Sequence, residues 1–430
     1  MRVSRLTARI ALGSAASLFV LTTAPAAHGP GRASQGQVQS PTFRVTTALV
    51  EVDVVVQDRN GAFVPALTAN DLELFEDGKP QQIQQFYMVS QAQRQVLPGA
   101  GGSAVLPEDR ARRIFVLLFD EGHLAHESLL RAKTGAERFI RAQIGPNDFG
   151  GIFTNGGMYN GRLTSSRAEL LAGLDSVKVG FENRQSLLAP FREFPRIPGE
   201  IDAVRIAEGS LEVAKRLGEK VCEDDPFSCQ LNGGQEQVEN LIQQKARLYV
   251  RQARILTSNT LRNLRYVVDR LARIPGRKTL VLLSEGFFVE DSRSDLQTIA
   301  AAAARASSTI YSIDGRGLIG APGATTDVLT ADPGRSTVFD TGDDGPNILT
   351  SGTGGLRVYN IDDIGRAFGI IANDTSNYYV IGYQPDNPKM DGSFRKIEVK
   401  PRVAGLKVRS RKGYTAVTLP PMEPVRTSWK

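Results

Sequence analysis

Acidic side chains follow several apolar runs of this sequence, and these are the positions where chemistry could take place. Ile114–Phe119 and Thr279–Leu283 are two such runs, and each ends in a short polar turn that contains a carboxylate. Runs without polar alternation are typical of strands buried on both faces of a parallel sheet. Ligands of open α/β sheets bind outside the carboxyl ends of such strands. The binding edge that we expect here consists of Asp120, Glu121, Gly122, Ser284 and Glu285.

The first of these turns begins a group of residues that can bind metals, namely Asp120, His123, His126 and Glu127. Two histidines at i and i+3 can share one helix face and hold a transition metal. Their spacing matches neither of the zinc motifs H-E-x-x-H and H-x-x-E-H, so we favour histidines solvated on a first helical turn. The sequence also lacks a G-x-S-x-G elbow, a P-loop and a dinucleotide fingerprint. We therefore expect no enzyme, with a metal-dependent hydrolase at this edge as the alternative.

An alternation of strands and helices positions this edge. The strand at 114–119 is followed by an amphipathic helix at 127–140, a strand at 148–154 and a short helix at 166–174. Residues 235–273 contain no Pro or Gly and predict one long helix or two consecutive ones. The later predicted elements are strands at 279–283 and 309–314 and helices at 295–306 and 361–371, the last capped by Asn360. This alternation predicts a doubly wound, mostly parallel sheet flanked by helices.

Two stretches of this region do not follow the alternation. Residues 176–234 have mixed polarity and several prolines, and we expect an insertion there with one helix near 201–217. Cys222 and Cys229 lie in it. In an oxidising compartment we expect a disulfide between them that staples a surface loop, with two free thiols as the alternative. Residues 315–358 are rich in Gly, Thr, Asp and Ser and predict a long loop, either a functional rim or disordered.

Antiparallel strands flank the α/β region. Val50–Gln57 carries valines on one face, and Leu72–Glu76 is an alternating strand that Asp77-Gly78 turns into another strand near 82–87. Further strands are predicted at 378–383, 394–400 and 406–410. Each β segment is too small to be stable alone. We therefore expect residues 44–90 and 376–416 to pack into one β-sandwich-like domain.

The N-terminus is predicted to be a targeting segment. Arg2, Arg5 and Arg9 precede an apolar run at 10–21, and Ala24-Pro25-Ala26 matches a cleavage pattern. We expect a signal peptide at 1–26, a disordered lead-in at 27–43 and a periplasmic or secreted location in a bacterium, with an uncleaved anchor as the alternative. Cleavage lowers the formal charge from +6 to +3. The basic residues are scattered rather than striped, so nucleic acid is not expected as a partner, and no later segment is long enough to span a membrane.

Several motifs of the chain occur together in one protein family. They are LELFEDGKP at 72–80, the strand and acid at 114–120, GRKTLVLLSEGF at 276–287, YYVIGY at 378–383, FRKI at 394–397 and RSRKGY at 409–414. In combination they resemble the von Willebrand factor type A family, and most closely the VWFA-related proteins of soil acidobacteria. The resemblance implies a parallel sheet wrapped by helices, here over 112–373, and a function in binding proteins or other macromolecules.

The resemblance also implies where a metal would bind. Many family members hold Mg²⁺ in a metal-ion-dependent adhesion site built from D-x-S-x-S, a Thr and a later Asp. Asp120 matches the first acid and Glu285 stands in for the second, but Gly122 and Leu124 replace the two serines. The threonines in a suitable order are Thr154 and Thr164. We expect a degenerate site that requires no cofactor, in which Asp120 and Glu285 could hold Mg²⁺ or another divalent cation only weakly.

These observations favour an exported binding module. Its ligand would be a protein or another macromolecule in the envelope or outside the cell. A structural component of the cell envelope is a further alternative, besides the hydrolase. Residues 417–430 are expected to form a tail.

Overall fold

A computed structural model of the chain describes residues 49–90, 95–98, 112–287, 292–318, 345–425 and 428–429. The expected signal peptide and lead-in, and most of the loop expected at 315–358, lie outside these residues. Within the described part of the chain, no helix combines the length and apolarity needed to cross a membrane.

A six-stranded, mostly parallel sheet forms the centre of the α/β region. Its strands are β6 (Ile114–Phe119), β7 (Phe149–Thr154), β8 (Gly157–Met158), β9 (Lys278–Leu283), β10 (Ser308–Ile313) and β11 (Arg357–Val358). The strand order is β11-β10-β9-β6-β7-β8, and only the short β8 is antiparallel to its neighbour. All six residues of β6, β9 and β10 are buried, because helices cover both faces. The expected doubly wound, mostly parallel sheet flanked by helices is confirmed.

Helices pack on both faces of this sheet. One face is covered by α1 (His126–Gln143), α2 (Arg167–Ser176) and α10 (Ile364–Ser376). The other is covered by the C-terminal half of α7 (Gln235–Leu271), with α8 (Arg293–Arg305) and α9 (Gly345–Thr353). The expected loop at 315–358 is wrong where the structure describes its end, since residues 345–353 are helical. The helix expected from 361 begins at Ile364, because Asp363 rather than Asn360 caps it by accepting from the amide of Gly365.

The first and last described strands form one two-sheet β unit. Its strands are β1 (Val50–Gln57), β2 (Leu72–Glu76), β3 (Lys79–Gln81), β4 (Gln85–Ser90), β5 (Gln95–Pro98), β12 (Asn377–Tyr383), β13 (Phe394–Pro401), β14 (Lys407–Ser410) and β15 (Gly413–Thr415). The sheets run β14-β1-β12-β4-β5 and β15-β13-β2-β3. Val52 pairs with Ile381 and Val54 with Tyr379. The expected β-sandwich-like unit made from both ends of the chain is therefore confirmed.

A helical cap with its own core lies between α2 and the C-terminal half of α7. The term covers residues 184–253, whose helices are α3 (Arg184–Leu188), α4 (Glu200–Ala207), α5 (Leu211–Asp224), α6 (Pro226–Leu231) and the start of α7. The single helix expected near 201–217 is wrong. It is two helices, because Gly209 adopts a φ of +102° that ends α4.

The two cysteines of the cap are joined in a disulfide. Cys222 lies in α5 and Cys229 in α6. The bond therefore joins two consecutive helices, where the sequence suggested a surface loop. Cys229 is buried in the core of the cap, which places the crosslink among its packed side chains.

Candidate functional site

The acidic turns after β6 and β9 lie side by side because these strands are parallel neighbours. Phe119 is in register with Leu283, so Asp120 and Ser284 both follow the last paired residues. The amide of Asp120 donates to the carbonyl of Leu283 at 3.0 Å, and the amide of Glu285 donates to the carbonyl of His123 at 2.9 Å. The structure therefore brings Asp120, Ser284 and Glu285 together at one sheet edge.

Asp120 is 1% exposed and is surrounded by hydrogen-bonding groups. Thr260 Oγ1 donates to its Oδ1 and Ser284 Oγ donates to its Oδ2, both at 2.8 Å. His123 Nδ1 lies 3.0 Å from the same Oδ2 and 3.2 Å from Thr260 Oγ1. A buried carboxylate is tolerated only when its oxygens are paired, and these contacts pair both of them.

Glu285 is equally buried and is bound by an arginine of the cap. Arg184 Nη1 donates to Glu285 Oε2 at 3.0 Å, and the backbone amide of Ala125 donates to Glu285 Oε1 at 2.8 Å. Ala125 is the N-cap of α1, where the helix dipole favours a negative charge. Both carboxylate oxygens of Glu285 therefore have partners within the chain.

The same arginine holds a second buried carboxylate. Arg184 Nε and Nη2 donate to the two oxygens of Glu200 at 2.9 and 2.7 Å, and the hydroxyl of Tyr249 also donates to Glu200. Burial acts to lower the pKa of Arg184, but the charges of Glu200 and Glu285 outweigh it and raise that pKa above its ordinary value. Burial and the charge of Glu200 raise the pKa of Tyr249 well above its ordinary value. The result is a buried row of carboxylate, guanidinium and carboxylate that joins the sheet edge to the cap.

Backbone contacts also hold the cap, and the segment just before it, against the sheet edge. The amide of Arg184 donates to the carbonyl of Gly122 at 2.8 Å, and the amide of Gly180 donates to the carbonyl of Glu121 at 3.3 Å. A Cβ at Gly122 would lie 3.5 Å from the side chain of Leu256, so α7 passes directly over this turn. These contacts explain why the edge is closed to solvent.

Glu121 remains partly exposed and has a structural role. Its carboxylate accepts from the amide of Asn155 at 3.1 Å and from the amide of Lys178 at 3.3 Å. Burial raises its pKa, and these two amides act in the opposite direction. Of the five residues predicted to form the binding edge, the other four are buried, so in this conformation the edge is the floor beneath the cap.

The structure brings together only two of the four residues of the alternative metal site, Asp120 and His123. His123 is buried beside Asp120, whereas His126 and Glu127 are exposed at the start of α1. The threonines suggested by order also lie elsewhere: Thr154 accepts from the amide of Gly156, and Thr164 donates to Glu169. Within the described ranges, no group of three or more His, Cys, Asp or Glu side chains could hold a metal ion.

Four residues of the network were missed from the sequence, namely Arg184, Glu200, Tyr249 and Thr260. Thr260 carried a weak signal, since it is a polar residue on the apolar face of a long amphipathic helix. Arg184 and Glu200 carried none, because they lie in the stretch without a clear periodicity and meet Glu285 only through the tertiary fold.

The arrangement does not fit the Mg²⁺ ion that the resemblance implied. An Mg²⁺ ion requires nearly octahedral oxygen ligands and keeps several waters. Here Glu285 is committed to an amide and a guanidinium, and residues 122 and 124 offer no side-chain oxygen. The guanidinium of Arg184 is bonded to Glu285, so a positive charge already lies beside one of the two carboxylates that a metal would need.

Comparisons with known proteins add little to this description. No family model matches the chain, and no curated protein matches it. The conserved hypothetical protein BatB from Bacteroides thetaiotaomicron is similar at 17% identity and a TM-score of 0.28, over 62% of this chain and 97% of that one. An aerotolerance-related membrane protein from Bacteroides fragilis NCTC 9343 is similar at 12% identity and a TM-score of 0.28, over 61% and 97%. At these values the likeness carries no functional argument, and the fold rests on the strand order and register.

Proposed function

We propose that the protein is an exported binding module of the VWFA-related kind that recognises a protein or another macromolecule without a metal ion. The observation that carries the proposal is the internal pairing of the sheet edge. The carboxylates of Asp120, Glu285 and Glu200 all accept hydrogen bonds from side chains or amides of this chain. The residues of the edge therefore stabilise the fold, and we expect a partner to bind to the surfaces around the edge.

The position of Arg184 supports the proposal of metal-free recognition. In an adhesion site of the family, a bound cation leaves one coordination position for a partner's carboxylate. Here the cation is a guanidinium, and the carboxylate that faces it is Glu200 of the same chain, bound through two hydrogen bonds. The cap thus occupies the place where a ligand of the edge would sit. A macromolecular partner would then contact the outer surface of the cap and its rim.

The geometry gives less support to the hydrolase. A metal-dependent hydrolase needs an open coordination position and a reachable nucleophile. Ser284 and His123 are buried, and both contact the carboxylate of Asp120. In this conformation a substrate has no route to either group.

Metal titration separates these functions. We expect calorimetric titration of the mature chain with Mg²⁺, Mn²⁺ and Zn²⁺ to show no tight binding, and affinity capture from an envelope extract to be unchanged by a chelator. Replacing Arg184 with Ala removes the competing charge, so we expect this variant to gain weak Mg²⁺ binding that a second change, Asp120→Ala, abolishes.

Two results would contradict the proposal. Tight Zn²⁺ binding by the unmodified chain that is lost in His123→Ala would favour the hydrolase. Capture of ligands that a chelator abolishes would show that a metal takes part in recognition.

A further inference from the structure

The solvent-facing side of α7 carries a band of arginines. Between Glu239 and Asp269 the helix has six basic residues and no acidic one. One of the six, Lys245, is held by the cap, since its ammonium group donates to four backbone carbonyls of residues 190–195. The other five are exposed, and we call them the arginine band. They are Arg247, Arg251, Arg254, Arg262 and Arg265.

Helical geometry collects these residues on one face. At about 100° per residue, their positions fall within roughly 80° of arc, and the distance from Arg247 to Arg265 along the axis is about 27 Å. The opposite face is buried against the cap and the sheet, for example at Ala253 and Leu264. The expectation that basic residues are scattered therefore does not hold for this helix, where a helical period places them in line.

The side-chain contacts of Arg247 and Arg262 along α7 leave the charges of these two arginines uncancelled. Arg247 donates to the side-chain amide oxygen of Gln243, and Arg262 donates to that of Asn259. Both acceptors are neutral and lie on the same helix. No acidic residue lies in this span of α7, so Arg247, Arg251, Arg262 and Arg265 present concentrated positive charge to the solvent.

Two aliphatic side chains border the band. Leu248 is 47% exposed and Ile255 is 57% exposed. They are seven residues apart, so they lie almost in line along the helix, next to the arginines. Binding to a membrane interface is strengthened both by basic side chains, which anionic headgroups attract, and by apolar side chains, which enter the acyl boundary.

We propose that this face of α7 docks on an anionic phospholipid surface. The arginines bind headgroup phosphates, and Leu248 and Ile255 enter the boundary with the acyl chains. A nucleic acid would use the arginines but would gain nothing from two aliphatic side chains beside them, so the lipid surface explains more of the face. The proposal goes beyond the proposed function and does not depend on the sheet edge.

Vesicle sedimentation of the mature chain, residues 27–430, tests the proposal. We expect binding to vesicles of phosphatidylglycerol mixed with phosphatidylcholine, much weaker binding to phosphatidylcholine alone, and a loss with rising salt because the contacts are screened. The triple variant Arg247→Gln, Arg251→Gln, Arg265→Gln is expected to bind the anionic vesicles roughly 100-fold more weakly. The matched control removes three exposed lysines of the β unit, through Lys79→Gln, Lys389→Gln and Lys407→Gln, and is expected to retain most of the binding.

The aliphatic pair provides the second arm. Leu248→Ser with Ile255→Ser leaves every charge in place, and we expect roughly tenfold weaker binding to the anionic vesicles because apolar area no longer enters the interface. Equal binding to both kinds of vesicle, or an equal loss in the lysine control, would overturn the proposal. A third result would also overturn it: the Leu248/Ile255 variant binds anionic vesicles as before, and the chain binds duplex DNA through the same arginines. That result would identify a general surface for polyanions.

Discussion

Replacing Arg184 with Met is expected to release the helical cap from the sheet edge. Arg184 is 2% exposed, and the charged hydrogen bonds of its guanidinium include two to Glu200 and one to Glu285. Removing one member of a buried ion pair costs about 3–5 kcal/mol, because the remaining charge stays buried. Two carboxylates lose a partner here, but Glu285 keeps an amide donor and Glu200 keeps the hydroxyl of Tyr249. We therefore expect a total within that range rather than twice its value.

Hydrogen exchange measured by mass spectrometry can localise this effect. A loss of about 3–5 kcal/mol corresponds to an increase of roughly 150- to 5,000-fold in the equilibrium constant for opening. The increase is expected in peptides from α3 to the first half of α7, while β6 and β9 exchange as before. Arg205→Met is the matched control, since Arg205 is exposed on α4 in the same cap and its loss is expected to cost less than about 0.5 kcal/mol.

A background without the two carboxylates completes this test. In the double variant Glu200→Gln, Glu285→Gln, the further change Arg184→Met leaves no buried carboxylate without a cation, so its added cost is expected to fall. If Arg184→Met accelerated exchange in the cap no more than Arg205→Met does, the guanidinium would not be what holds the cap, and the proposed role of the ion-pair row would be refuted.

Three further changes are expected to have measurable effects. Thr260→Val removes a buried donor to Asp120 and is expected to lower the free energy of unfolding by about 1–3 kcal/mol in urea. Cys222→Ser opens the short disulfide loop and is expected to destabilise the cap by about 2 kcal/mol, seen as faster proteolysis within residues 184–253. Burial lowers the pKa of Lys278 to about 7, so the folded chain binds fewer protons than the unfolded chain between pH 7 and the ordinary lysine range. Stability relative to Lys278→Met is therefore expected to be lowest below pH 7 and to rise as the pH increases above it.

Each of these expectations can be checked against a control variant or contradicted by a specific result. Thr257→Val is the isosteric control for Thr260→Val, because the hydroxyl of Thr257 is buried and makes no hydrogen bond to the described residues; it is expected to be neutral or stabilising. Equal losses from both threonines would refute the importance of the donor to Asp120. Unchanged proteolysis after loss of the disulfide would contradict the expectation for Cys222→Ser. The expectation for Lys278 would be contradicted if the difference in unfolding free energy between the unmodified chain and Lys278→Met were constant across the pH range.

Much of the fold could be predicted because it is encoded in local periodicity. Buried parallel strands appear as unbroken apolar runs, so β6, β9 and β10 were found within about a residue of their ends. The pairing of the two β segments followed from the same physics, since neither can bury its apolar face alone. The helices of the cap were less predictable because residues 176–234 have no clear period, and Gly209 divides the stretch that was predicted as one helix.

The sequence by itself determined that acids lie at one edge of a parallel sheet, since strand ends and their polar turns can be read directly from residue order. Only the tertiary structure decided what those acids do. Arg184 is separated from Glu285 by 101 residues, and Thr260 from Asp120 by 140. No local pattern records such partners, because a buried charge is matched by whichever segment folds over it. In this protein that segment is the helical cap, and its arginine closes an edge that residue types alone would leave open to a metal.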